Sequence, residues 1–200
     1  MTTNISHSKL FRLSTVAAIL IAAIALGGCG IDRRHTLADV SQDELSSGGE
    51  PYFNVGPVTY QVQESRQLNA FEDDDVQYLA GVKDAQTIGA DQLWYGVFLW
   101  AKNQTKEEQP TASEFRLVDS AGDVYYPVAL DSSVNPYAWT SQTLAPDGIQ
   151  PMPDSTASEG PAGGGLILFK VNTSVYSNRP LTLEIYAPGS STPSKVSLDL

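Results

Sequence analysis

The sequence predicts an all-β fold: a sandwich of two antiparallel sheets with about seven to nine short strands. Three observations predict it. Apolar and polar residues alternate with a period of two in several short runs, which is the pattern of a half-buried strand. The 16 glycines and 12 prolines fall mostly between those runs, where turns are expected. Helical periodicity is nearly absent, and its best candidate is the short stretch Asp75 to Val82.

The strands follow in order from Pro51. Val58-Thr-Tyr60-Gln-Val62-Gln alternates cleanly. Leu93 to Ala101, LWYGVFLWA, is apolar on both faces, as expected of a central strand covered on both sides. Its aromatics Trp94, Tyr95, Phe98 and Trp100 are expected in the core. Phe115-Arg-Leu117-Val118 and Val124-Tyr-Tyr126 flank Asp119-Ser-Ala-Gly122-Asp123, which reads as a hairpin with a glycine in its turn. Leu166 to Val171 follows three glycines, Leu181 to Tyr186 alternates again, and Val196 to Leu200 is the last strand. Between them, Asp131 to Ala162 holds five prolines and few strand-like runs. A loop this long is either a functional element or a proline-stiffened crossover between sheets. A domain of 51–200 is long enough to bury a core without disulfides, in keeping with a single cysteine in the chain.

The first fifty residues have a different texture. Lys9 and Arg12 are the only charged side chains before Cys29, and Thr15 to Leu26 is apolar. A run of about twelve apolar residues suits the core of a signal peptide and is short for a membrane span. It ends in Leu26-Gly27-Gly28-Cys29. Small residues followed directly by the only cysteine resemble the lipobox of bacterial lipoproteins. The resemblance implies a signal peptide over 1–28, cleavage between Gly28 and Cys29, and a lipidated Cys29. An uncleaved anchor helix is the alternative, and it puts the same domain on the same side of the membrane. Several acyl chains on one residue give a stable anchor, at about 0.8 kcal/mol per buried methylene. Residues 29–50 have linker composition, with Ser46-Ser47-Gly48-Gly49 near the end, and read as a flexible tether. The expected location is therefore the cell membrane or the outer membrane, with the domain on the extracytoplasmic side. Gly30 follows the cysteine, where some lipoproteins retained at an inner membrane carry aspartate.

The domain supports a second comparison. Val58-Thr-Tyr60 comes first, then Trp94-Tyr-Gly-Val97 leading to Asn103. Phe115-Arg-Leu117-Val118-Asp119 follows with Gly122 and Tyr125, then Pro146-Asp-Gly148. Leu166-Ile-Leu168-Phe169-Lys-Val171 and Leu181-Thr-Leu183-Glu-Ile185 complete the order. Over roughly 55–188 this resembles the immunoglobulin-like domain of unknown function carried by bacterial surface lipoproteins, whose fold is shared with a secreted immunoprotective antigen. The resemblance implies an immunoglobulin-like sandwich and transfers no catalytic residue. The acidic stretch Glu72 to Asp75 and the proline-rich loop are longer than the family pattern.

Composition narrows the chemistry. The net charge of −11 argues against nucleic acid, whose phosphates an acidic chain repels. After cleavage the only histidine is His35, in the tether, so no histidine base can be held against a nucleophile. A copper site of the cupredoxin kind and a Cys/His zinc site fail for want of ligands. No cofactor and no enzymatic activity are expected. Glu72, Asp73, Asp74 and Asp75 are a candidate calcium segment, set against a solvated loop, because the spacing lacks the glycine and distant glutamate of a calcium loop. Tyr137 and Trp139, in Asn135-Pro-Tyr-Ala-Trp139, are either pinned against the sandwich or presented to a partner.

The expected function is a non-catalytic binding or scaffolding module on a lipidated cysteine, for an envelope protein or polymer. A calcium-dependent adhesion or polysaccharide-binding module is the first alternative. A hydrolase with paired carboxylates is the second, and it requires two acids in one cleft.

Overall fold

A computed structural model describes residues 52–198 of the chain. The expected cleavage and lipidation sites, Gly28 and Cys29, and the tether 29–50 lie outside the described residues. Among those residues no helix is long and apolar enough to cross a membrane.

Eleven strands build the domain: β1 Phe53–Val55, β2 Val58–Leu68, β3 Gln92–Asn103, β4 Gln109–Pro110, β5 Glu114–Val118, β6 Val124–Tyr125, β7 Thr143–Leu144, β8 Ile149–Gln150, β9 Gly165–Asn172, β10 Leu181–Tyr186 and β11 Pro193–Leu198. Every pairing between them is antiparallel. The first sheet runs β1-β2-β3, and the far side of β3 pairs with β9 over Gln92–Leu99 and then with β8 at Ala101 and Lys102. The second sheet runs β11-β10-β5-β6, and β4 pairs with β7 as a small ribbon. The expected antiparallel sandwich is the observed fold. Four of the strands are two-residue pairings, too short to show as alternation in the sequence.

Apolar positions explain the packing. Leu93, Tyr95, Val97, Leu99 and Ala101 of β3 point to one side and meet Leu117, Leu181, Leu183 and Ile185 of the second sheet. This cluster is the inter-sheet core. Burying each large apolar side chain stabilises the fold by about 1.5–3 kcal/mol relative to leaving it in water. Trp94 and Phe98 point to the opposite side of β3 and join a second cluster with Leu68, Tyr78, Leu79, Tyr137, Ala157, Leu166 and Leu168. The first sheet is therefore covered on both faces along Leu93 to Leu99, as that apolar run requires, and its outer face is only partly covered at Trp100. Trp100 departs from the expectation, because it is only half-buried near the end of the strand.

The outer layer is made by segments with weak sequence signals. The helix expected over Asp75–Val82 is an α-helical turn at Asp73–Val76 followed by a 3-10 turn at Gln77–Leu79. Three aspartates in its first turn favour that start, since carboxylates are stabilised at a helix N-terminus. The proline-rich stretch 131–162 is stitched to the sheets rather than free. It contributes β7, β8, a helical turn at Thr156–Glu159 capped by Ser155, and a bridge from Ala138 to Leu166. The expected hairpin is present as β5 and β6. Gly122 takes φ +92° in its turn, and the Asp119 side chain accepts from the backbone N–H groups of Ala121 and Asp123.

Candidate functional site

Tyr137 and Trp139 leave the loop in different directions. Tyr137 belongs to the outer cluster. Its ring stands edge-on to Tyr78 at 4.7 Å and its hydroxyl donates to Gln77 Oε1 at 2.6 Å. Asn135, fully buried, fixes the approach by accepting from the Tyr137 N–H and donating to the Tyr78 carbonyl at 2.8 Å. Trp139 packs on the inter-sheet core. Its indole N–H donates to the Ala112 carbonyl at 2.9 Å, and its ring lies 6.0 Å from Tyr60 and 6.1 Å from Phe115. Of the two alternatives, Tyr137 is pinned within the outer cluster, and Trp139 is packed on the inter-sheet core with part of its ring exposed. Large aromatic areas are buried here, and their polar ends find partners within the protein. Trp139 alone keeps partial exposure.

That exposure opens onto a groove of about 260 Å³, the space of roughly nine liquid waters. Ser113, Phe115, Val128, Leu130, Trp139 and Ser141 form much of its wall, and Leu166 to Leu168 of β9 complete it. Backbone pairing holds both sides. The Val128 N–H donates to the Leu168 carbonyl at 2.7 Å, and the Trp139 N–H to the Leu166 carbonyl at 2.9 Å. Gly165 matters to the wall, since a Cβ there would sit 2.8 Å from Trp139 Cε3. No lining residue carries an ionisable side chain. The groove can take up an apolar group and offer it two hydroxyls, but it holds no general acid or base.

Behind the groove, Tyr60 is buried and its hydroxyl accepts from the Ala112 N–H at 2.7 Å. Burial pushes its phenol up from 10.0 to about 12, and the hydrogen bond from Ala112 offsets only part of this. Burial raises the Tyr78 phenol in the same way.

The acidic segment does not form a cation cage. Glu72, Asp73 and Asp74 are exposed, whereas Asp75 turns inward. Asp75 takes Arg66 Nη1 on one oxygen at 2.6 Å and the Asn69 N–H on the other at 2.8 Å. A helical turn splays successive side chains by about 100°, so four in a row cannot converge. Among the described residues no three His, Cys, Asp or Glu side chains lie together in a way that could hold a metal ion. Of Glu72, Asp73, Asp74 and Asp75, the first three are exposed, and Asp75 is held by Arg66 and the Asn69 N–H.

Several groove residues were not identified from sequence. Ser113, Val128 and Leu130 sit in stretches without alternation, and only the three-dimensional crossover brings them opposite Trp139. The same holds for the exposed face of β2 and β3, where Gln61 is the cross-strand neighbour of Trp100.

No family model matches the chain, and no curated protein matches it. Solved structures do. A Bacillus subtilis protein described as a "putative lipoprotein (ycdA)" is 13% identical, with a TM-score of 0.46 over 76% of this chain and 39% of its own. The yjhA protein of Bacillus subtilis is 15% identical, with a TM-score of 0.49 over 74% of this chain and 97% of its own. An uncharacterized β-sandwich protein from Clostridium difficile is 10% identical, with a TM-score of 0.40 over 79% of this chain and all of its own. The present chain thus spans about two fifths of the first of these. Each is a likeness of fold, and none carries a function across.

Proposed function

We propose that this protein is a membrane-anchored envelope lipoprotein whose β-sandwich is a non-catalytic binding module. One observation carries the binding role: the groove beside Trp139 is apolar, partly open, and free of ionisable lining residues. Such a surface recognises a hydrophobic side chain of a partner and has no means of acid–base catalysis. The anchor rests on Leu26-Gly27-Gly28-Cys29 and the apolar run before it.

The test is cross-linking in the native membrane. A photoreactive side chain at Ala129, an exposed residue on the groove wall, is expected to yield one defined adduct in the membrane fraction. Ser141→Trp, which puts a bulky ring at another lining residue, should abolish that adduct while the protein still folds cooperatively. An adduct that persists in the filled variant, or none at all from Ala129 when exposed positions elsewhere react, overturns the groove as the binding surface.

A further inference from the structure

We propose a second site, independent of the groove: a platform on the outer face of the first sheet that binds an uncharged polysaccharide. It is built by Tyr52, Trp100, Gln61 and Gln63. Gln61 is paired with Trp100 across β2 and β3, so the two side chains stand on the same face. The register shifts between Val62 and Glu64, so Gln63 is the extra residue of a β-bulge. Bulges re-aim side chains beside binding sites. Here the bulged Gln63 donates from Nε2 to Gln61 Oε1 at 2.8 Å, joining two amides into one polar strip. That bond leaves two donors on Gln61 and an acceptor on Gln63 for a ligand, since neither amide makes another hydrogen bond among the described residues.

The aromatic half has matching properties. Tyr52 is 48% exposed, and its ring meets Trp100 at 5.9 Å and 68°. An edge-to-face pair occupies one face of one ring only, and leaves the remaining aromatic surface for stacking. Trp94 and Trp139 each donate the indole N–H to a backbone carbonyl at 2.9 Å. The Trp100 indole N–H has no such partner among the described residues, so the platform keeps a donor at its aromatic end.

Charge selects the class of ligand. The four residues are uncharged, and the next charged residues on that face of the two strands are Lys102 in β3 and Glu64 in β2. The molecule around them is strongly acidic and repels anionic polymers. Ring faces for C–H surfaces, beside amides for hydroxyl groups and with no net charge, complement a neutral pyranose chain.

Calorimetry on the full-length, detergent-solubilised lipoprotein tests this, with cellohexaose and chitohexaose as neutral probes and hexagalacturonate as the anionic one. At least one neutral oligomer is expected to bind, and hexagalacturonate to bind at least about tenfold more weakly. Trp100→Ala and Tyr52→Ala should each weaken the neutral ligand about tenfold, and Gln61→Ala severalfold. Tyr52 is exposed, so its variant keeps the test valid even where Trp100→Ala impairs folding. Ser141→Trp should leave glycan binding unchanged, which separates this site from the groove. No binding of either neutral oligomer up to about 5 mM, or binding indifferent to Tyr52→Ala, overturns the proposal. Capture of an extended peptide by these rings in place of a glycan overturns it equally.

Discussion

Asn103 shows how one side chain can close a fold. It is fully buried at the end of β3, and its amide donates to the carbonyls of Glu107, Leu144 and Ala145 while its oxygen accepts from Thr105. It thereby ties the β3–β4 turn to the segment after β7. Asn103→Ala leaves the buried Leu144 carbonyl and two part-buried carbonyls without their donor, so a loss of about 3 kcal/mol is expected. In a domain of this size that lowers the melting temperature by about 6–12 °C. Urea unfolding should show a lower midpoint at unchanged slope; an unchanged midpoint would remove Asn103 as the tie. Tyr60 sets a second test, through pH. Its folded phenol titrates near 12 and the unfolded one near 10.0. The unfolded chain therefore releases this proton first as pH rises. The stabilisation is complete below pH 10 and is lost progressively toward pH 12. Tyr60→Phe should be less stable at pH 7, because the Ala112 N–H loses its acceptor, yet should lose less further stability between pH 10 and 12 than the parent. Equal alkaline slopes in the two proteins would disprove the assignment. The sequence marked Asn103 and Tyr60 only as positions at strand ends. Their partners lie up to about fifty residues away, and no local pattern encodes such distances.

At the scale of elements, β9 and the segment that crosses it decide the shape of the groove. Gly165 begins β9 directly under the Trp139 ring. Gly165→Ala forces that ring away or moves the strand, at a cost of about 1–3 kcal/mol. A red shift in tryptophan emission should accompany the loss, as Trp139 gains solvent. Destabilisation without that shift would mean that the strand moves instead of the ring. Legibility in the sequence followed burial symmetry. β3 was readable because both its faces are apolar, and the β5–β6 hairpin because Asp119 and Gly122 have local turn chemistry. The small pairings β4–β7 and β3–β8 were not, because two residues carry no period. The outer layer was underestimated for a related reason. Tyr78, Leu79, Tyr137 and Ala157 come from separated segments, and only the outward-facing Trp94 and Phe98 of β3 unite them. Tyr137 and Trp139 lie two residues apart, and a loop aromatic gives no sign in the sequence of which cluster will claim it. The acidic run is divided by Arg66, on the far side of the bulge in β2, which engages Asp75 from a part of the chain that no local pattern links to it.

For the whole molecule, the charge and the proposed anchor act in opposite directions, and their balance can be measured. Cleavage at the proposed site would take Lys9 and Arg12 away and leave 10 basic residues against 23 acidic ones, a formal charge of −13. An anionic lipid surface repels such a domain. Both apolar clusters of residues 52–198 are buried within the domain. Membrane association should then depend entirely on the acyl chains at Cys29, which are worth about 0.8 kcal/mol per buried methylene. Cys29→Ser is expected to move the protein out of the membrane fraction as a soluble species, or to leave it there as a larger, uncleaved precursor. The melting temperature of the domain should be unchanged in either case. Mass spectrometry of the amino terminus and high-salt washing of membranes tell these outcomes from electrostatic adsorption, which salt would release. Processed protein that stays membrane-bound after Cys29→Ser would show that the domain itself carries the affinity, and the search for the binding surface would then turn from a partner to the lipid.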